Sequence, residues 1–258
     1  MIRAVIFDMG GTLLQYPRPE NGAWREFEER GIRGLYRYLV AQGHPIADGE
    51  EAFVARMFER LAQGWEQATG GHINLRAVDW IAAGAADHDL DLPESMLIEA
   101  VHHYARPLRD GVSAMPGAAM ALAELRARGI HTGLISNTIW PGDLHREDLM
   151  ALGLWSYIEY AVFSGDLGIW KPRPQIFLHV LEHFGVSPAE AIFVGDSPKE
   201  DIRGAQQAGM RAFWVRSPEF PLPPDIHPDA IIENPGEVVP LLEASGQLPP
   251  RSSVSRKG

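Results

Sequence analysis

The chain predicts an α/β fold: a doubly wound parallel sheet with a bundle of helices inserted into it. Short apolar runs alternate with segments of helical periodicity, the pattern of strand, crossover helix and strand in a sheet covered on both faces. One long interval after the first run breaks that rhythm and reads as helices only. The composition suits a core of this size, since 45% of the 258 residues are hydrophobic and 22% charged, as in ordinary globular proteins. A chain this long buries roughly three quarters of the surface it exposes unfolded.

The first strand is expected at residues 2–7, and residues 15–110 follow with no strand. Within that interval Trp24, Phe27, Leu35 and Leu39 form one apolar stripe, and Val54, Met57, Phe58, Leu61 and Trp65 a second. Asp48 and Glu51 are placed as a capping pair for the second helix. Pro93 opens a later helix bearing Leu97, Val101 and Tyr104, and Pro107 is expected to close it. Past the insertion, Ala118, Leu122 and Leu125 mark a helix over 116–128, with Gly129 placed to end it in a left-handed conformation. Strands are expected at 131–136, 161–163, 191–194, 212–215 and 230–232, with helical patterns at 143–152 and 174–184. The expected division is 1–14 with 111–245 as the α/β core, 15–110 as the helical domain and 246–258 as a tail without apolar periodicity.

Composition narrows the chemistry. With no cysteine, disulfides, thiolate zinc sites and cysteine nucleophiles are excluded, so any metal is held by oxygen or imidazole. The formal charge of −11 opposes nucleic acid or an anionic membrane as partner and leaves room for a small anion in a local positive pocket. The first residues enter a strand directly and no run reaches membrane-spanning length, so a cytoplasmic protein is expected. Nothing in the sequence reads on oligomeric state.

In open parallel sheets the ligand lies at the carboxyl ends of the strands, which makes the residues after each strand the candidates. Asp8-Met9-Gly10-Gly11-Thr12 follows the first, and Ser136-Asn137-Thr138 the second. Trp170-Lys171-Pro172 lies near the third, and Gly195-Asp196 with Asp201 follows the fourth. A carboxylate ending a buried strand before two glycines stands at a tight turn where backbone amides approach a ligand. Asp8 and Asp196 would repel across the sheet edge unless a divalent cation lay between them. Magnesium, with its oxygen ligands and its phosphate partners, suits that place. Lys171 adds a compact positive charge and Ser136 a hydroxyl.

In these four clusters, FDMGGTL, LISN, KPRPQIF and GDSPKEDIRGAQQAGM, the chain resembles the haloacid dehalogenase superfamily of hydrolases. The resemblance covers residue 2 to about residue 215, and the inserted helices resemble that family's cap. It implies that Asp8 attacks phosphorus to form an aspartyl-phosphate that water then hydrolyses. It further implies that Asp8, Asp196 and the carbonyl oxygen of Gly10 hold magnesium, with Asp201 supporting them. Ser136 and Lys171 would neutralise phosphoryl oxygens, with Gly11, Thr12 and Asn137 also at the substrate and Thr12 bracing the loop. Specificity would reside in the cap, where the 70–76 stretch offers Arg76 to a carboxylate or second phosphate. The expected substrate is a small phosphorylated metabolite.

One departure is as informative as the match. Family phosphatases carry a second Asp two residues after the nucleophile, as general acid and base; here that position is Gly10. The expected activity is therefore hydrolysis of monoesters or acyl phosphates with good leaving groups, or with an acid supplied from the cap histidines His44, His72, His102 and His103. Two alternatives stand beside it. One is a regulatory protein that binds magnesium and phosphate but turns over poorly. The other is a relative of the 2-haloacid dehalogenases, which the Asp196 position disfavours.

Overall fold

The computed structural model describes residues 1–17, 23–69 and 75–249. Contacts group the chain into two compact units. The α/β unit is Met1–Gln15, Ser113–Asn137 and Arg146–Gly258, and the helical unit is Tyr16–Val112 and Thr138–His145. In chain order the elements are β1 (Ala4–Phe7), β2 (Leu14–Gln15), α1 (Trp24–Ala41), α2 (Gly49–Thr69), α3 (Ala77–Ala86), α4 (Glu94–Arg109) and β3 (Ser113–Ala114). Then come α5 (Ala118–Ala127), β4 (His131–Ser136), α6 (Gly142–Ala151), β5 (Tyr160–Phe163), α7 (Ser164–Leu167), α8 (Pro174–Phe184) and β6 (Ala191–Gly195). A turn of π-helix (Pro198–Arg203), α9 (Gly204–Gln207), β7 (Arg211–Val215), β8 (Ala230–Ile232) and α10 (Val238–Ala244) complete the order.

The α/β unit is built on a six-stranded sheet in the order β5-β4-β1-β6-β7-β8, parallel throughout. All four residues of β1 and all five of β6 are buried, as strands of a sheet covered on both faces must be. From β1 the chain builds outward through β4 to β5, then crosses back to set β6 on the other side of β1. The direction of winding therefore reverses at β1, and Phe7 pairs in register with Leu134 of β4 and Val194 of β6. Phe177 of α8 packs edge-on against Phe193 of β6, with ring centroids 5.0 Å apart. Gly129 ends the turn after α5 with φ +71°, as its position predicts. A two-stranded antiparallel ribbon of β2 and β3, pairing Leu14 with Ala114 and Gln15 with Ser113, was not foreseen, because two residues carry no period.

In the helical unit α1 packs chiefly on α4 and α2. Phe27, Leu35 and Leu39 are buried with Val54, Met57, Leu61, Val101 and Tyr104, and Tyr104 donates to Glu28 at 2.6 Å. Several expectations need correction. Trp24 and Trp65 are 51% and 36% exposed; both stand near the outer ends of their stripes, where periodicity continues but covering neighbours do not. Phe58 and Leu97 are half-buried. Glu51 does not cap α2: it accepts two hydrogen bonds from Arg33 at 2.7 and 2.9 Å, and Asp48 pairs with Arg56 at 2.7 Å. Pro107 lies inside α4, which runs on to Arg109.

Thr138–His145, expected in the α/β core, groups with the helices. The reason is a set of specific bonds. The Ala77 amide donates to the Ile139 carbonyl at 2.8 Å, and Arg109 to the Leu144 carbonyl at 2.6 Å. The buried ring of His145 lies between the Tyr16 hydroxyl, 3.0 Å from Nδ1, and the Thr138 hydroxyl, 2.7 Å from Nε2. Trp140 stacks on His145 at 5.5 Å. At the other end of the chain the expected tail starts too early, since the Ile2 amide donates to the Gln247 carbonyl at 3.1 Å; residues 250–258 lie outside the described residues.

Candidate active site

The site gathers at the carboxyl ends of β1, β4 and β6, where the winding of the sheet reverses and a crevice is expected. Asp8 is the first residue past β1, Ser136 the last of β4 and Asp196 the first past β6. All three are buried, as are Lys171 and Asp201. One carboxylate oxygen from each of Asp8, Asp196 and Asp201 lies within 4.8 Å of the other two.

The loop after β1 is closed by main-chain bonds. The Met9 carbonyl accepts from the amides of Leu13 and Leu14, each at 2.8 Å, and the Gly11 amide donates to the Leu14 carbonyl at 2.7 Å. Gly11 has φ +79°, a conformation that side chains rarely adopt. A Cβ there would stand 2.3 Å from Asp196 Oδ2, so glycine at this position lets the two strand ends meet. The Thr12 hydroxyl, expected to brace the loop, is buried without a hydrogen-bond partner among the described residues; the backbone does the bracing.

Lys171 ties the cluster together. Its ammonium donates to Asp8 Oδ1 at 2.5 Å and to the Ile135 carbonyl at 3.1 Å, and it lies 2.7 Å from Asp201 Oδ1. Three oxygens thus surround an ammonium with three donors. Burial alone would lower the Lys171 pKa, but Asp201 and Asp8 outweigh it and the net shift is upward. Burial pushes the Asp201 carboxyl up, against the pull of Lys171 and with repulsion from Asp8 adding to it. Asp201 Oδ2 also accepts from the Ser197 amide at 2.9 Å.

Three buried carboxylates against one ammonium leave negative charge in excess, and uncompensated buried charge is costly. The candidate ligands are all oxygen, and with Lys171 counted the cluster carries two more negative charges than positive ones, which fits a hard divalent cation of the magnesium type.

Asn137 turns its amide toward the Lys171 segment. Its Oδ1 accepts from the Lys171 amide at 2.8 Å, and its Nδ2 donates to the Lys171 carbonyl and to Glu200 Oε2, each at 3.0 Å. Glu200 was not singled out in the sequence, although it lies inside GDSPKED one residue before Asp201. Arg76 belongs to the helical unit, exposed and 3.6 Å from Asp79. Of the four cap histidines, His102 lies 3.6 Å from Asp143, His103 stacks on Tyr38 at 4.3 Å and His44 is half-buried. His72 and the rest of the 70–74 stretch lie outside the described residues.

Comparison with known proteins agrees with this arrangement. Residues 2–209 match the model of the haloacid dehalogenase-like hydrolases. The chain is 39% identical over 163 residues to a phosphoserine phosphatase of Thermus thermophilus, a match covering 63% of this chain and 61% of that one. It thus spans about three fifths of that relative's length. To a glyceraldehyde 3-phosphate phosphatase of Methanopyrus kandleri it is 28% identical over 255 residues, covering 94% and 97% of the two chains. The structure of a 2-haloacid dehalogenase from Pseudomonas syringae pv. Tomato DC3000 superposes with a TM-score of 0.70 at 27% identity, over 95% of this chain and 100% of that one. With its strand-end carboxylates in place and a family match over most of its length, the chain belongs to the haloacid dehalogenase-like hydrolases.

Proposed function

We propose that the protein is a magnesium-dependent phosphatase of the cytoplasm, acting on small phosphate monoesters or acyl phosphates through a phosphoryl group carried transiently on Asp8, with the helical unit as its cap. The observation that carries this reading is the Asp8–Lys171–Asp201 cluster with Asp196 at the reversal point of the sheet. The phosphatase names of the Thermus and Methanopyrus relatives support it.

In the first half of the reaction a carboxylate oxygen of Asp8 attacks phosphorus and the bond to the leaving oxygen breaks. In the second, water attacks the same phosphorus, the bond to the Asp8 oxygen breaks, and the water's proton passes to solvent, releasing phosphate with the Asp8 carboxylate restored. Asp8 and Asp196, with the Gly10 carbonyl, would hold magnesium, and Asp201 would support them. When bound, that ion supplies positive charge facing the phosphoryl oxygens. Lys171 supplies the fixed charge on the protein's side, and the Ser136 hydroxyl a donor. Because Gly10 offers no acid, the leaving group must depart without a proton from this position. Acyl phosphates and esters of acidic alcohols are then the fastest substrates.

The test is phosphate release, with and without magnesium, over a panel including acetyl phosphate, p-nitrophenyl phosphate, phosphoserine, phosphoglycolate and glyceraldehyde 3-phosphate. Turnover is expected to require magnesium and to vanish in Asp8→Asn. Gly10 is not in the left-handed region, so Gly10→Asp is compatible with the backbone; it is expected to speed alkyl esters by about a hundredfold and acetyl phosphate far less. Failure of the whole panel would select a binding protein instead. Chloride release from a 2-haloacid without magnesium would select the activity named for the Pseudomonas structure.

A further inference from the structure

We infer that Glu200 is a specificity residue, whose carboxylate, held by Asn137 beside the Lys171–Asp8 pair, selects phosphate esters with a positively charged amine on the leaving group. This rests on the phosphatase reading and narrows its substrate class.

The argument begins with how firmly the carboxylate is held. Glu200 Oε2 accepts from Asn137 Nδ2 at 3.0 Å. The same amide is bonded on both sides to the Lys171 main chain, at 2.8 and 3.0 Å. A long acidic side chain at the surface normally samples many rotamers; this one is tied to the segment that carries the site's only lysine. Burial pushes the Glu200 carboxyl above its ordinary pKa, Lys171 and the Asn137 amide pull it down, and repulsion from Asp8 adds to the rise.

Charge supplies the next step. With a divalent cation bound, Asp8, Asp196, Asp201 and Lys171 are balanced, so Glu200 is surplus to that balance. Among the described residues no Lys, Arg or His lies within ion-pair distance of it. A phosphoryl dianion entering the cluster would meet this negative charge uncompensated. A substrate that brings its own ammonium close to the ester oxygen removes the conflict, because the cation lies against Glu200 while the phosphate faces Lys171. The same ammonium makes the leaving oxygen less basic, which suits a site lacking an acid at Gly10.

Phosphoethanolamine and propyl phosphate test this, being nearly the same size and differing in the ammonium. The wild-type ratio of kcat/KM is expected to favour phosphoethanolamine. Glu200→Gln should lower that ratio by about tenfold, Glu200→Asp should keep part of the preference, and Glu200→Lys should reverse it. A ratio that stays constant while both rates fall together would overturn the inference and leave Glu200 as a brace for Asn137. The same two esters are also titrated by calorimetry, with magnesium, into Asp8→Asn and into the Asp8→Asn, Glu200→Gln double variant. Preferential binding of phosphoethanolamine that disappears in the double variant would support charge selection at Glu200 independently of turnover, whereas wild-type protein that turns over no ester of the panel would overturn the phosphatase reading. Equal binding of both esters in Asp8→Asn would refute charge selection at Glu200 alone.

Discussion

His145 shows how one ring can set the acid limit of a fold. Burial, and then the charge of Arg109, hold its pKa at about 3 against an ordinary 6.5, so the folded protein carries it neutral. The unfolded chain binds a proton at this residue below about pH 6.5 and the folded chain does not, so stability falls as pH falls through that window. The loss is about 1.4 kcal/mol per pH unit until the folded pKa is reached. His145→Gln is expected to remove that component, seen as a shallower dependence of unfolding free energy between about pH 6 and pH 4. An unchanged slope would mean the ring is protonated in place. The contrast with the candidate catalytic residues is one of legibility. Asp8, Ser136 and Asp196 each follow an apolar run, and topology alone sends them to one sheet edge. The contacts of His145 join positions 16, 138 and 145, a relation no spacing encodes. Glu200 was missed for a related reason: it stands at a position of the fourth motif where the pattern demands no particular residue, and only the approach of Asn137 singles it out.

At the scale of elements, the close pairing of α1 with α4 rests on two glycines. A Cβ at Gly34 would lie 2.5 Å from the His103 carbonyl oxygen, and one at Gly31 2.7 Å from that of Tyr104. Alanine ordinarily stabilises a helix interior by about 1 kcal/mol over glycine. Here the obstacle is backbone, which cannot swing aside, so Gly34→Ala is expected to destabilise by about 1–3 kcal/mol in thermal or urea unfolding. Stabilisation would show that α1 and α4 sit farther apart. Periodicity located these helices well because most of their apolar residues share one face. It misplaced details wherever tertiary partners decide: the exposed ends at Trp24 and Trp65, the salt-bridged Glu51, and Pro107, which the last turn of α4 accommodates. The central strands β1 and β6 were the most legible elements, since full burial leaves unbroken apolar runs.

For the molecule as a whole, the surplus of buried carboxylate at the sheet edge would couple folding to binding of the proposed cation. An ion that binds only the folded state at about a hundred times its dissociation constant adds about 2.7 kcal/mol. Magnesium is therefore expected to raise Tm in a concentration-dependent way, and Asp196→Asn to abolish the rise. A melting curve indifferent to magnesium would remove the ion from the site. The net charge of −11 opposes an extended anionic partner, and among the described residues no helix is long and apolar enough to cross a membrane. The helical unit, finally, is not a single block of sequence, because Thr138–His145 belongs to it as well as Tyr16–Val112. A shortened protein made by splicing residue 15 to residue 113 would strand eight residues, leaving the Ile139 and Leu144 carbonyls without Ala77 and Arg109 and the His145 ring without Tyr16. Grafting these helices onto another sheet likewise demands two transplanted pieces, so domain exchange at this junction is harder than one insertion point suggests.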